Sequence, residues 1–240
     1  MTEIRNFTEQ TTLDYDNFII IQKSDGATRK MSLYTLLGVA QPLTSLSLDF
    51  EGADGSTFFT DSSPANRIST VFGNAQLTTT LPILGTSSGL FDGIGDYITF
   101  PSSPDFAFGS GNGSISFWIK TSQVGSFKCL LARDNGAFNN GSWAFLNNNG
   151  LMQLWWGDFS STTAFMVMPS GSISDGTQHK IEWIKSGNNH SLVVDSNVVA
   201  TATTTTAMPD VGTSLAIGND LNFSGRNYAG LIDGLLIIKG

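Results

Sequence analysis

Cysteine and histidine are almost absent from this sequence: Cys129, His179 and His190 are the only ones among 240 residues. One thiol cannot form an intrachain disulfide, and so few sulfur and nitrogen ligands exclude a cysteine-based zinc site. We predict that Cys129, which lies in an apolar run, is a buried free thiol. His190 follows a Gly-Asn-Asn turn and is predicted to be solvated. We expect neither His179 nor His190 to act as a catalytic base.

Charge is scarce as well. Charged residues make up 13% of the chain, with 12 lysines and arginines against 20 aspartates and glutamates. The formal charge of −8 argues against a phosphate-binding surface and therefore against a nucleic-acid partner. No apolar run approaches the roughly 20 residues of a membrane-spanning helix, and the polar N-terminus lacks the pattern of a signal peptide. We therefore expect synthesis in a cytoplasm and no membrane insertion.

Short alternating segments dominate the chain from Leu46 onward. Leu46, Leu48 and Phe50 alternate with polar residues, so that Asp49 and Glu51 share the opposite face of a predicted strand. Further predicted strands, among them residues 97–100, 151–156 and 215–217, are separated by clusters of glycine, asparagine, aspartate and serine. No long window has helical periodicity. Turn signals at intervals of about 8–12 residues predict an all-β jelly-roll sandwich over residues 46–240.

The first 40 residues have a pattern of their own. An apolar run ending at Gln22 predicts a strand, the Asp-Gly pair at 25–26 predicts a tight turn, and residues 30–33 predict the returning strand. A two-stranded hairpin is only marginally stable alone, so its apolar side chains need a partner surface. That surface is either the main domain or neighbouring copies of the chain, and we favour neighbouring copies. Residues 41–45 are predicted to be a linker.

Five stretches resemble segments of laminin-G-like domains in the concanavalin A-like lectin/glucanase superfamily. They are GLFDGIGDYI at 89–98, SISFWIK at 114–120, HKIEW through VD at 179–195, LAIG at 215–218 and YAGLIDGL at 228–235. Their order and spacing agree with that family over about residues 46–240. The resemblance implies a concanavalin A-like sandwich, a fold shared by lectins and glucanases.

Two further stretches resemble virion proteins of tailed bacteriophages. LDFEGADGSTFFTDSS at 48–63 is similar to the opening of such domains in phage structural proteins, and KMSLYTLL at 30–37 resembles a segment that commonly attaches or trimerises phage fibres. The resemblance implies a virion structural protein made in the host bacterial cytoplasm: a short tail or head fibre on the particle surface, with a sandwich that contacts host-surface glycans. Residues 1–40 would bind other virion proteins and form a homotrimer through apolar side chains, namely Phe18, Ile19, Ile20, Ile21, Leu33, Leu36 and Leu37. A capsid decoration protein without glycan binding is the alternative.

Calcium is the one cofactor for which the sequence has candidate ligands, and carboxylates that only meet solvent are the alternative. Hard cations take carboxylate and carbonyl oxygens from several chain segments. The first and last strands lie side by side in sandwiches of this family, so Asp49 or Glu51 is predicted to face Asp233 and to share a calcium site with it. Other aspartates remain alternative ligands, namely Asp54, Asp61, Asp92 and Asp96, although the last two are also suited to holding a turn.

Glycan binding would use aromatic platforms, and the candidates are Trp143, Trp155, Trp156 and Phe159. Trp155 and Trp156 are adjacent on a predicted strand, so one should lie in the core and the other at the surface or an interface. Packing or a subunit contact is the role that we favour for this set, and glycan binding is the alternative. Hydrolysis would need two carboxyl groups about 5–5.5 Å apart. The four glutamates do not form the E-x-D-x-x-E strand of the superfamily's hydrolases, so we predict no catalytic residue and no enzyme.

Overall fold

The computed structural model describes residues 18–22, 28–32, 43–136, 141–157, 164–205 and 207–240. The chain divides into two units, Met1–Gln41 and Pro42–Gly240. Helix within the described ranges is limited to one 3-10 turn, Pro104–Phe106. No helix in these ranges is long and apolar enough to cross a bilayer.

The N-terminal unit contains a two-stranded antiparallel sheet. Strand β1 (Phe18–Gln22) pairs with β2 (Thr28–Ser32), so that Phe18 lies opposite Ser32 and Gln22 lies opposite Thr28. The predicted strands are therefore present, although the second begins two residues earlier than its pattern indicated. Of the apolar residues predicted to mediate attachment, Phe18, Ile19, Ile20 and Ile21 belong to β1, while Leu33, Leu36 and Leu37 lie outside the described residues. Their role in attachment stays a prediction.

The second unit consists of short strands joined by turns. In chain order these are β3 (Leu43–Leu48), β4 (Thr70–Phe72), β5 (Gln76–Thr78), β6 (Ser88–Asp92), β7 (Tyr97–Phe100), β8 (Gly113–Lys120), β9 (Lys128–Arg133), β10 (Trp143–Asn148), β11 (Leu151–Trp156), β12 (Ala164–Val167), β13 (Gln178–Ser186), β14 (Asn189–Val194), β15 (Asn197–Thr203), β16 (Leu215–Ile217) and β17 (Ala229–Lys239). Part of the predicted linker belongs to this unit, because β3 already begins at Leu43.

These strands form two antiparallel sheets, which confirms the predicted all-β jelly-roll sandwich. One sheet has seven strands in the order β12-β11-β10-β9-β16-β7-β4, and the other has eight, with the order β15-β14-β13-β8-β17-β6-β5 and β3 paired to β17. Leu48 of β3 lies opposite Leu235 of β17, so the first and last strands of the sandwich are neighbours, as predicted.

The core lies between the two sheets and is built by side-chain alternation. Ile115, Phe117 and Ile119 of β8 point inward and are fully buried. Phe117 meets Phe145 of the opposite sheet edge to face, with ring centroids 5.2 Å apart. Cys129 is buried and unpaired, as predicted, and its burial raises the pKa of the thiol.

Candidate functional site

The predicted aromatic platforms occupy opposite faces of the seven-stranded sheet. Trp156 is fully buried and Trp143 is 1% exposed, so both belong to the core, whereas Trp155 is partly buried on the outer face. The two adjacent tryptophans therefore divide as alternation predicts. Trp143 and Trp156 have the packing role considered for this set, because both indoles lie between the sheets, where neither can act as a surface platform. Phe159 lies outside the described residues.

His190 is packed against the inward-facing tryptophans. The prediction that it is solvated was therefore wrong. It belongs to β14, is 1% exposed, and stacks on Trp156 with ring centroids 4.5 Å apart. Trp183 Nε1 donates a hydrogen bond to His190 Nδ1 over 3.2 Å. Burial lowers the pKa of His190 to about 4, so the imidazole is neutral at pH 7 and serves as a flat packing element.

An aromatic surface surrounds Trp155; we call Gln153, Trp155, Phe127 and Arg226 the Trp155 surface. Trp155 Nε1 donates to Gln153 Oε1 over 3.0 Å, and the Trp155 and Phe127 rings meet edge to face at 5.5 Å. Both rings pack against small or aliphatic buried side chains of the outer face, namely Cys129, Ala132, Ala144 and Leu146. These contacts hold the indole in one orientation on the sheet.

The backbone of Phe127 directs its ring onto this face. Phe127 has a φ of 54°, a left-handed conformation that is rare for a bulky residue and costs about 1–3 kcal/mol. Its ring contacts the Trp155 ring edge to face, and the Arg226 guanidinium lies 5.7 Å from the ring centroid.

Arg226 reaches the Trp155 surface from the segment after β16. Its guanidinium lies 4.0 Å from the centroid of Phe223 and pairs with the buried Asp220, with 2.6 Å between Nη1 and Oδ2. Burial raises the pKa of Asp220 despite this partner. The Arg226 carbonyl accepts from the Cys129 amide over 2.8 Å, and Lys128 Nζ donates to the Gly225 carbonyl over 2.7 Å. The segment is therefore tied to β9, which sets the guanidinium beside the aromatic rings.

The predicted calcium ligands Asp49, Glu51 and Asp233 each accept hydrogen bonds from protein groups. Asp233 is fully buried; its Oδ2 accepts from Ser88 Oγ (2.7 Å) and from the Leu84 amide (2.9 Å). Burial raises the pKa of Asp233. Glu51 accepts from Thr86, and Asp49 accepts from a serine hydroxyl, so each carboxylate has its own partners. Across the described ranges, no group of three or more histidine, cysteine, aspartate or glutamate side chains could hold a metal ion.

The alternative carboxylates hold turns. Asp92 accepts from the Ile94 amide over 2.6 Å, and Asp96 accepts from the Asp92 amide over 2.9 Å, which is the structural role considered for this pair. Asp61 accepts from the Ser47 amide over 3.1 Å and from other backbone and side-chain donors, and Asp54 accepts from the Thr79 amide over 2.9 Å. Their oxygens are engaged in maintaining loops.

His179 joins two turns of the eight-stranded sheet. Its Nδ1 lies 2.7 Å from Asp195 Oδ2 and its Nε2 lies 3.1 Å from Asp175 Oδ1. Burial opposes the charge on the imidazole, yet hydrogen bonds to the two carboxylates raise the pKa of His179 above its ordinary value. This environment favours the protonated imidazole, which has no lone pair with which to act as a base.

The sequence comparison agrees with the folded architecture. The laminin-G family described as the Concanavalin A-like lectin/glucanases superfamily matches residues 92–240. This chain belongs to that superfamily. No curated protein matches it.

Solved structures of this architecture include binding domains. The binding domain of Paraclostridial Mosquitocidal Protein 1 has a TM-score of 0.65 at 15% identity. The matched region covers 82% of this chain and 49% of the toxin domain. The binding domain of botulinum neurotoxin serotype D has a TM-score of 0.62 at 16% identity, covering 82% and 48%. The superfamily domain in this chain thus spans about half the length of these toxin domains.

A domain of similar size matches over nearly its whole length. Domain 4 of AbnA, a GH43 extracellular arabinanase from Geobacillus stearothermophilus solved with arabinotriose, has a TM-score of 0.62 at 17% identity and covers 84% of this chain and 94% of its own. At such identities the likeness shows the lectin-like fold alone, a fold that this superfamily member shares with toxin binding domains and a domain of a glycosidase.

The sequence did not indicate Phe127, Gln153 or Arg226 as members of the site. A left-handed phenylalanine leaves no pattern in the sequence, and Arg226 lies far from Trp155 along the chain. A signal was present for Gln153, which shares the alternating face of Trp155 on β11.

Proposed function

We propose that the sandwich is a carbohydrate-binding domain whose site is the Trp155 surface. The observation that carries the proposal is the indole of Trp155, partly exposed on an outer sheet face and held by Phe127 and Gln153. An aromatic ring receives the apolar face of a sugar ring, while amide and guanidinium groups beside it meet the hydroxyls. The similar fold of AbnA domain 4, solved with arabinotriose, supports this choice of ligand class.

We propose binding without hydrolysis. The described glutamates are Glu51 and Glu182, and Glu182 pairs with Lys180 at 2.9 Å. The Thr86 hydroxyl and amide lower the pKa of Glu51, whereas a general acid needs a raised pKa. Asp233 has a raised pKa but is fully buried, where no glycosidic oxygen reaches it. These environments support a binding role over acid catalysis.

The glycan proposal predicts that Trp155→Ala weakens carbohydrate binding. We expect the full chain to be retarded in gels that contain a recognised polysaccharide, drawn from a panel that includes arabinan and bacterial envelope polysaccharides. Loss of one stacking indole should weaken binding by about tenfold or more, since aromatic anchors dominate such contacts. Affinity electrophoresis measures the change in mobility.

The matched control is Phe72→Ala. Phe72 is 39% exposed and stacks on Tyr97 at the other edge of the same sheet, so this variant should bind as the unmodified chain does. Equal binding by Trp155→Ala would contradict the assignment of the site. Absence of binding to the whole panel would favour a decoration protein.

We further propose that the protein is a structural component of a phage particle, displayed on the virion surface as a short appendage. The similarity of residues 48–63 and 30–37 to phage proteins supports this role, as does an N-terminal hairpin that belongs to a unit separate from the sandwich. The hairpin would attach the chain to other virion proteins and bring three copies together. A host-binding appendage predicts intact particles with poor adsorption when the protein is missing, whereas a decoration protein predicts fragile particles.

The trimer proposal predicts a difference in mass between two forms of the chain. By light scattering, the full chain should have a mass of about three times 25.6 kDa, and a truncated chain beginning at Leu43 should be monomeric. The truncated chain keeps β3 and with it the complete sandwich. If both forms are monomeric, the hairpin does not trimerise the chain in solution. If both forms are trimeric, the contact between copies lies on the sandwich.

A further inference from the structure

A pocket of about 230 Å³ opens where β3 ends, away from the Trp155 surface. We call it the Phe58 pocket, and its polar and exposed lining consists of Asp49, Glu51, Phe58, Thr60 and Ser62. Buried side chains close its base, namely Leu48, Phe50 and Phe59. The pocket therefore combines an apolar base with acidic and hydroxyl groups.

The backbone at Phe50 separates the two carboxylates from the core. The predicted strand through Glu51 ends at Leu48, and Phe50 has a φ of 53°. Its ring is 3% exposed and meets Phe59 edge to face at 5.8 Å. Because the ring is anchored inside, the flanking Asp49 and Glu51 are left exposed along the pocket.

No basic side chain in the described part of the chain forms an ion pair with Asp49 or Glu51. Other carboxylates do have such partners, namely Asp61, Asp105, Asp175, Asp195, Asp210, Asp220 and Glu182. Hydrogen bonds from Thr86 lower the pKa of Glu51, so it stays ionised. Asp49 accepts a long bond, 3.4 Å, from Ser62 Oγ. No described cation therefore neutralises Asp49 or Glu51, the two acidic residues of the pocket lining.

Phe58 supplies an aromatic face beside these charges. Its side chain is 72% exposed, so its ring is open to a ligand. It also lines a second pocket, of about 190 Å³, with Ile68, which is 81% exposed. Carboxylates beside an exposed aromatic ring match an organic cation, whose charge meets the carboxylates and the π face while its carbon skeleton meets the apolar walls.

We propose that the Phe58 pocket binds an organic ammonium group of the kind carried by an amino sugar or a lysine side chain. Calcium is the less suitable ligand, because it requires six to eight oxygen ligands while an aromatic ring forms part of this wall. The site lies outside the Trp155 surface and extends beyond the proposed glycan binding, since a neutral sugar has no positive charge to pair with these carboxylates.

The test is a titration of the full chain followed by the amide resonances of residues 49–62. Glucosamine should shift them, while glucose and N-acetylglucosamine, which have the same ring without the charge, should not. Asp49→Asn and Phe58→Ala should each weaken the response by about fivefold, the size of one exposed charge pair or cation–π contact. Both residues are exposed, so both variants should fold.

Matched controls separate this site from others. Glu182→Gln removes a carboxylate on β13, and Trp155→Ala removes the proposed glycan platform; both should leave the glucosamine response unchanged. A lysine amide that shifts the same resonances at lower concentration than glucosamine identifies a peptide as the natural source of the ammonium group.

Three results would overturn the proposal: equal shifts with glucose and glucosamine, a glucosamine response that both Asp49→Asn and Phe58→Ala retain, or shifts with calcium but with neither amine. Because Trp155→Ala is measured in parallel, failure of the ammonium site and failure of the glycan site are distinguishable.

Discussion

Replacing Phe117 by alanine should lower the free energy of unfolding by about 3–5 kcal/mol, the range found when a buried aromatic ring is truncated in a core. Phe117 is fully buried on β8 and meets Phe145 of the other sheet at 5.2 Å. The substitution removes apolar surface from the interior and leaves a cavity between the two sheets. The sheets cannot collapse into this cavity without disturbing the packing of neighbouring side chains. Equilibrium unfolding of the full chain in urea measures the change.

Val198→Ala is the control for this prediction. Val198 lies on the edge strand β15 and is 61% exposed, so its truncation should change the free energy by no more than about 0.5 kcal/mol. If Phe117→Ala were as mild as Val198→Ala, the sheets would not pack against each other at this ring.

The second large effect concerns Arg133, a fully buried side chain at the end of β9. Its Nη2 pairs with Asp210 and donates to the Ser103 carbonyl over 3.2 Å, while its Nε and Nη1 have no partner among the described protein groups. Asp210→Ala should cost about 3–5 kcal/mol, because it leaves a buried guanidinium without its counter-charge. Arg133→Met should cost less, because it leaves a carboxylate that is 37% exposed and can be hydrated.

The pH dependence of unfolding provides a second measurement of the same pair. The Gly212 amide and then Arg133 lower the pKa of Asp210 below its ordinary value of 3.8. The carboxylate therefore contributes stability above the pKa of the unfolded chain, and this contribution is lost as the pH falls through the folded pKa. The difference in free energy of unfolding between the unmodified chain and Asp210→Ala should therefore shrink below about pH 4. A cost for Arg133→Met equal to that for Asp210→Ala, or a difference that does not change with pH, would contradict this account.

Local patterns predicted most of the sandwich. The segments at 97–100, 151–156 and 215–217 coincide with β7, β11 and β16 because strand alternation is a property of neighbouring residues. Strands β4, β5 and β6 were not predicted. Two of them are only three residues long and their pairing is set by β7 and β6, so no local pattern distinguishes them from loops.

The site was predicted in part. Alternation separated Trp155 from Trp156 onto opposite faces, but two identical side chains carry no information about which one points inward. The opposing sheet decided it by placing His190 against Trp156. The same packing buried a histidine that its local Gly-Asn-Asn context assigned to solvent.

The sequence by itself determined the all-β class, the strand-and-turn rhythm, the low charge and the resemblance that spans the sandwich, because each depends on the order of neighbouring residues. The tertiary structure alone decided which side chains share a surface. Arg226 joins Phe127 because the segment after β16 is tied to β9, and Asp49 and Glu51 line a pocket because the ring of Phe50 is anchored in the core. Such contacts form between segments distant in the chain, and their energy comes from packing that no local pattern records.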